Sequence, residues 1–217
     1  MLGIGNSIIS SIITDPTIAN SYSLDFNGTD EYGAVESLPT VSISTATVSL
    51  WAKLDASSTN SVMFGLAVDS DNVISMFHKN SDNTVNFQYK GGGSAKLASS
   101  ALNVEGDGNW YHIVLTVDTT ADELKGFVNG SQVGTTTGSL GTWSGTPSLL
   151  YIARNPNASN SFFHGKLDEV SLFNVTKTPG QVLEMYNGGK PTNLTGSSGL
   201  IGWWRMEENT GTSVADS

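Results

Sequence analysis

From position 22 onward, apolar side chains recur at every second residue, in short runs separated by Gly, Asn, Ser and Asp clusters. In the run 48–54, Val48, Leu50, Ala52 and Leu54 share one face and Ser49, Trp51 and Lys53 the other, the two-residue repeat of a strand. The first face is predicted to be core and the second partly wet. Similar β-branched and aromatic runs predict strands at 61–68, 73–79, 84–89, 110–118, 123–128, 148–153 and 165–173. Asn129-Gly130, between 124–128 and 131–134, supplies the positive φ angles of a type I′ turn and predicts a tight hairpin. Ser81, Asp82 and Asn83 predict a second short connection. One short helix is expected, with Thr178 as cap, Pro179 at the first position, Gln181 closing a capping box and Asn187-Gly188 ending it. Val182, Leu183 and Tyr186 would dock it. The pattern predicts an all-β, two-sheet antiparallel sandwich with one short helix near the C-terminus.

A chain of 217 residues suits one such sandwich with terminal segments. Its net charge of -10 repels phosphate backbones, which argues against nucleic acid or anionic membrane as partner, and leaves carboxylates for a cation such as Ca²⁺. Without cysteine there is no disulfide, thiolate nucleophile or Cys-ligated zinc. The first ten residues lack the positive region of a secretory signal and are too short and interrupted to span a bilayer. Ile4, Ile8, Ile9, Ile12 and Ile13 nevertheless give residues 1–20 an apolar character, so this leader is expected to be buried against other subunits. Sequons beginning at Asn27, Asn129, Asn157, Asn174 and Asn193 are read as products of an Asn-, Ser- and Thr-rich composition.

Three segments carry a family resemblance. Leu24-Asp25-Phe26-Asn27-Gly28-Thr29-Asp30-Glu31-Tyr32 is similar to an early F-D/N-G-x-D-D-Y element, and Asn109-Trp110-Tyr111-His112-Ile113-Val114, followed by Phe127-Val128-Asn129-Gly130, to a central W-x-H-V-A…V-N-G hairpin. Gly165-Lys166-Leu167-Asp168-Glu169-Val170 resembles a closing G-x-I-D-E-V strand. In this order they resemble laminin-G-like jelly-roll domains of the concanavalin A type, over about residues 22–187. The run 199–217 resembles the element that usually opens such domains, yet here it comes last. The expected organisation is a leader at 1–20, a jelly roll at 21–190 and a segment at 191–217 that either begins a second domain or folds back as a permuted strand.

The resemblance implies a structural Ca²⁺ site formed by Asp168 with the Asn27-Gly28 turn; the alternative is that Asp168 caps that turn by accepting its backbone hydrogen bonds. Asp168 and Glu169 are neighbours on a predicted strand, expected on opposite faces and so unable to form a glycosidase pair. The superfamily's hydrolases carry Glu, Asp and Glu on one strand face, which 166–171 lacks. His112 is expected to be packed, and His78 and His164 are isolated. Gly91, Gly92 and Gly93 read as a turn without P-loop context, and 69–72 as a solvated hairpin tip. Of the five tryptophans, Trp143, in a Gly-, Thr- and Ser-rich stretch, is the expected exposed candidate and Trp110 the least.

An acidic, cysteine-free sandwich without a catalytic constellation resembles modules displayed on phage particles, which implies a non-catalytic virion surface protein, on capsid or tail, that assembles with other virion subunits or with its own copies. The alternatives are a carbohydrate-binding adhesion module, outside the cell or on its surface, with Trp143, Asn155, Asn157 and Asn160 around a shallow site, and a glycoside hydrolase fragment.

Overall fold

The computed structural model describes residues 18–217 apart from 36–37, 39–40, 42, 58, 101–102 and 209–212. The leader isoleucines Ile4, Ile8, Ile9, Ile12 and Ile13 lie outside the described residues. Two antiparallel sheets face each other. The larger contains β1 (Leu24–Asn27), β3 (Thr45–Leu54), β8 (Tyr111–Asp118), β9 (Glu123–Val128), β10 (Ser131–Thr137), β12 (His164–Phe173) and β13 (Leu200–Trp204), and the path across it runs β1-β12-β3-β8-β9-β10. The smaller runs β2-β11-β4-β5-β6-β7, from β2 (Gly33–Ala34) and β11 (Leu149–Ile152) through β4 (Ser61–Asp69), β5 (Asn72–Lys79) and β6 (Thr84–Gly91) to β7 (Ser94–Ser99). Helix α1 (Pro179–Tyr186) lies on the outer side of the larger sheet.

Alternation determines which faces meet. Val48, Leu50, Ala52 and Leu54 from β3 join Phe64, Leu66, Ile74, Met76, Phe87 and Leu150 from the smaller sheet in one buried core. Each large apolar side chain buried there contributes about 1.5–3 kcal/mol relative to exposure. Gly126 on β9 is a close-approach position, because a Cβ there would lie 2.1 Å from Cδ2 of the buried Phe87. The Asn129-Gly130 turn has φ of 51° and 76°, as a type I′ hairpin requires. β7 has no counterpart among the expected strands: it is an edge strand with only Ala98 buried, so its sequence carries almost no alternation.

The outer face of β3 is partly wet, as expected: Lys53 is half-exposed, whereas Ser49 and Trp51 are covered by α1 and the chain after it, with Val182 packed on Val114 and Phe127 and the Tyr186 ring 6.0 Å from Trp51. The helix has the expected Thr178–Gln181 capping box and a left-handed Asn187 at its end, and it docks through Val182 and Tyr186 as expected and through Met185, whereas Leu183, expected to dock, is 56% exposed.

The edge of β12 is shared. β1 pairs with its first half, Leu24 opposite Leu167 to Asn27 opposite His164, and β13 with its second, Trp204 opposite Val170 to Leu200 opposite Phe173. The two short strands lie end to end in one strand position. Trp203 and Trp204 project to opposite sides, Trp204 into the main core and Trp203 against Phe173, Met185 and Leu194. Where the strands meet, β12 is irregular: its register with β3 shifts between Asp168 and Ser171, and Glu169 has φ of 51°.

Candidate functional site

The register of the larger sheet assembles a cleft on the side that α1 leaves open. Lys53 lies opposite Lys166, and Lys166 opposite Asp25, to whose Oδ2 its Nζ donates at 2.5 Å. Trp51 lies between His112 and Asp168 in the adjoining row. Trp110 precedes β8, which brings it beside Lys53. Asn20 to Ser23 form one wall, Gly189 and Pro191 the other, and the space enclosed is about 460 Å³, within the ~300–1,000 Å³ range of small-ligand sites. Trp110 is 38% exposed and Tyr22 44%. Among the described residues no ion pair or hydrogen bond engages the Lys53 ammonium. A flat apolar ring thus faces solvent beside an uncommitted donor, while Trp51 forms a rigid floor.

A larger cleft, about 800 Å³, lies at the lateral mouth of the sandwich between β1, β2 and β13. Its apolar lining, Phe26, Ile152, Trp204 and Met206, is the edge of the core. Its acids are committed within the chain: Asp25 to Lys166, Asp30 and Glu31 to Asn27, Glu208 to the Ala215 amide and Asp216 to the Trp203 amide. Convergence of free polar groups, not size, favours the smaller cleft.

Beneath the smaller cleft is a buried acidic pair. Asp168 is 5% exposed and Glu169 4%. Asp168 accepts a hydrogen bond from Asn20 Nδ2 at 2.8 Å, and Glu169 Oε2 accepts one from Trp203 Nε1 at 2.6 Å. Arg205 Nε lies 3.5 Å from Glu169 Oε1 without a well-directed hydrogen bond. Burial pushes the Asp168 carboxyl up to about 7, with the Glu169 and Glu207 charges adding to the rise against the Asn20 hydrogen bond. Burial likewise pushes Glu169 up to about 7, although Trp203 and Arg205 oppose it. Glu207 accepts from the Ser21 and Tyr22 amides, and Arg205 Nη2 donates to the Ala19 carbonyl at 2.6 Å. Residues 19–22 and 203–207 are therefore tied to β12 and to each other by three acids and one arginine.

Strict alternation would send Asp168 and Glu169 to opposite faces. The left-handed Glu169 breaks it, and both carboxyls enter one cluster under Glu207. Only Asp168 lines the cleft, whereas Glu169 is held behind it by Trp203. A two-carboxylate hydrolysis needs both groups at the scissile bond, and this arrangement presents one.

The other expected site residues are dispersed. Asn27 pairs with His164, so from His164 to Asp168 it is four positions along β12 from the acid, roughly 13 Å at about 3.3 Å per residue. The Asn27 carboxamide oxygen accepts from the Thr29 and Asp30 amides, while Gly28 abuts His164. Asn27, Gly28 and Asp168 thus do not fit one Ca²⁺ coordination sphere, nor does Asp168 cap the Gly28 turn. No group of three or more His, Cys, Asp or Glu side chains among the described residues is placed to hold a metal ion. The ranking of the tryptophans also reverses. Trp143 is half-buried against Tyr89, with its Nε1 donating to the Gly145 carbonyl, and Trp110 is the exposed one. Trp143 belongs to the end of the smaller sheet near Asn72, to which Ser144 is bonded. Asn155, Asn157 and Asn160 lie together in the loop after β11, at the Ser61 end of the same sheet, where Val62 donates to the Ser161 carbonyl.

His112 is packed, as expected, with Nε2 2.8 Å from Ser49 Oγ; burial holds its imidazole at about 3. His78 is bonded to Asn83 and His164 to the Ala56 carbonyl.

Comparison with known proteins gives one family and several solved structures that share its fold. Residues 27–183, well over half of the chain, match the family model described as concanavalin A-like lectin/glucanases superfamily. No curated protein sequence matches the chain. Among solved structures, the native heptameric SAP-like pentraxin from Limulus polyphemus is 20% identical over 89% of this chain and 90% of its own, with a TM-score of 0.63. A putative carbohydrate binding protein from Bacteroides ovatus is 17% identical over 90% of this chain and 55% of its own, with a TM-score of 0.65. The Ruminococcus gnavus sialidase CBM40 bound to α2,3-sialyllactose is 11% identical over 73% of this chain and 100% of its own, with a TM-score of 0.55. At these identities the likeness is one of fold. No helix among the described residues is long and apolar enough to cross a membrane.

Proposed function

We propose, from the premise that the chain belongs to the concanavalin A-like lectin/glucanases superfamily, that it is a non-catalytic glycan-binding module whose site is the Trp110 cleft. The carrying observation is the exposed Trp110 ring beside the uncommitted Lys53 ammonium, over a floor made rigid by Trp51. The C–H face of a pyranose stacks on an indole, and a neighbouring ammonium donates to ring hydroxyls. The likeness in fold to a sialyllactose-bound CBM40 and to a putative carbohydrate binding protein supports a glycan as the ligand class. A single carboxyl lining the cleft, Asp168, instead of a pair supports binding without hydrolysis.

Display on a virion, with assembly through the leader, is a separate proposal that rests on Ile4 to Ile13. Glycan binding does not depend on it, and the two roles are compatible.

Screening the intact protein on a glycan array and titrating the best hit into wild type, Trp110→Ala and Lys53→Ala tests the reading. Trp110→Ala is expected to lower affinity at least about tenfold, since a lost stacking contact of about 1.4 kcal/mol is a factor of ten. An empty array, or a hit that binds both variants as tightly as wild type, would overturn it.

A further inference from the structure

On the opposite sheet a second group of side chains is held without a partner. Arg154 follows β11, and its guanidinium carbon lies 4.5 Å from the ring centre of Tyr32 and 4.4 Å from that of Tyr151. The two rings meet edge to face at 5.6 Å, and Phe162 closes the group 6.2 Å from Tyr32. Nε of Arg154 donates to the Ala158 carbonyl, which leaves the terminal nitrogens uncommitted. Among the described residues no carboxylate pairs with it. The two acids that precede Tyr32 are turned away, Asp30 and Glu31 both bonding to Asn27.

This is unusual in a chain with a net charge of -10 and two arginines, the other of which, Arg205, faces Glu169. The surroundings hold the guanidinium in place. Pro156 is buried against Gly65, where a Cβ would lie 2.4 Å from its ring, so the loop cannot shift inward. Ala153 and Ser161, at the two ends of the loop, adopt left-handed φ of 69° and 55°, conformations that non-glycine residues hold only under constraint from neighbours. Tyr32 remains 45% exposed, and the Asn157 carboxamide projects from the same loop. A planar fork of donors fixed between aromatic faces is matched to a planar two-oxygen anion, to which it bonds through two parallel N–H groups.

We propose that Arg154, with Tyr32 as stacking platform, forms a second site that reads the carboxylate of an acidic sugar. It rests on the glycan-binding reading only for the sugar scaffold; the residues and the sheet face are different from those of the Trp110 cleft. Tyr32 would carry the ring face, Arg154 the carboxylate, and Asn157 a neighbouring hydroxyl.

Titration of the full chain with N-acetylneuraminic acid and with a methyl glucuronide, each against its methyl ester, tests the site in wild type, Arg154→Lys, Arg154→Gln and Trp110→Ala. Binding of at least one acid is expected, at least tenfold weaker for its ester and for both Arg154 variants, and unchanged in Trp110→Ala. Arg154→Lys keeps a cation between the rings and is the folded control, checked by its melting temperature. Preference for the sialic or the uronic acid separates the two sources of carboxylate. Equal binding of acid and ester, wild-type affinity in Arg154→Lys, or no binding of either acid would overturn the proposal. Neutral glycans lost in Trp110→Ala alongside no acid binding would sink this site alone, whereas acid binding through Arg154 with an inert Trp110 cleft would sink only the first reading.

Discussion

Acidification from pH 8 to pH 5 is expected to stabilise this domain, against the usual trend for an acidic protein. Asp168 and Glu169 both have native pKa values raised to about 7 by burial, so the folded state binds protons that the unfolded chain releases. Stability from a raised pKa is fully present below the unfolded value, near 4, and is lost as pH rises through 7. Each carboxyl therefore contributes on the order of 2–3 kcal/mol more at pH 5 than at pH 8. His112 acts in the opposite sense. Its native pKa of about 3 means that the unfolded chain gains a proton the folded state refuses, which costs about 2 kcal/mol over the same interval. The net gain is about 3 kcal/mol, or roughly 6–12 °C in melting temperature for a domain of this size. Below pH 4 the carboxyl gain is complete while the His112 penalty keeps growing toward its native value near 3, so stability falls. Thermal melts at constant ionic strength, repeated on Asp168→Asn, give the assay. The variant should lose most of the pH 8 to pH 5 gain and melt above wild type at pH 8, where the native chain holds a buried charge. A melting temperature that falls steadily from pH 8 to pH 5, or an Asp168→Asn profile parallel to wild type, would refute the reasoning.

Other substitutions probe the packing and the two sites. Trp204→Ala should cost about 3–5 kcal/mol in urea unfolding, because Trp204 is 8% exposed in the main core and anchors β13; a cost under about 1 kcal/mol would show that the strand is dispensable. Gly126→Ala should destabilise by at least about 2 kcal/mol, since the new methyl meets Phe87 and neither has room to retreat; an unchanged denaturation midpoint would contradict that contact. Trp110→Ala should leave the melting temperature within a degree or two while weakening glycan binding at least tenfold, and Arg154→Lys should weaken acidic-sugar binding to the same extent.

The architecture was legible where local pattern and tertiary burial coincide. β3 reads as a strand because its apolar side, Val48 to Leu54, is the side that meets the second sheet. The 129–130 turn and the 178–181 cap are equally readable, since each is decided by backbone φ or a hydrogen bond within a few residues. β7 was not, because an edge strand exposed on most of its length needs no alternation. The exposure of Trp110 was also hidden: it lies on the outer face of the larger sheet like His112, and only the extent of α1 decides that one is covered and the other is not. The aromatic clamp on Arg154 joins residues from β11, from the turn before β2 and from the stretch before β12. Its members are spread over 130 residues from Tyr32 to Phe162, a separation that no local period records.

The acidic pair shows why a sound local rule gave the wrong geometry. Neighbouring strand residues point to opposite faces only while the ladder is regular, and β12 becomes irregular where its outer partner changes from β1 to β13. At that junction the partner strand is missing a link, and the left-handed Glu169 turns the carboxyl pair toward the gap. The gap is then filled from both ends of the chain, by Asn20 with Ser21 and Tyr22 and by Trp203, Arg205 and Glu207. A left-handed non-glycine residue and two buried acids are each unfavourable alone, by of order 1–3 kcal/mol for the backbone. They persist because the same contacts that satisfy them also close the edge of the sheet, which otherwise would expose unpaired backbone groups. The wall of the Trp110 cleft formed by Asn20 to Ser23 is thus held by the junction's own chemistry, through the Asn20 hydrogen bond to Asp168 and the Ser21 and Tyr22 amides on Glu207.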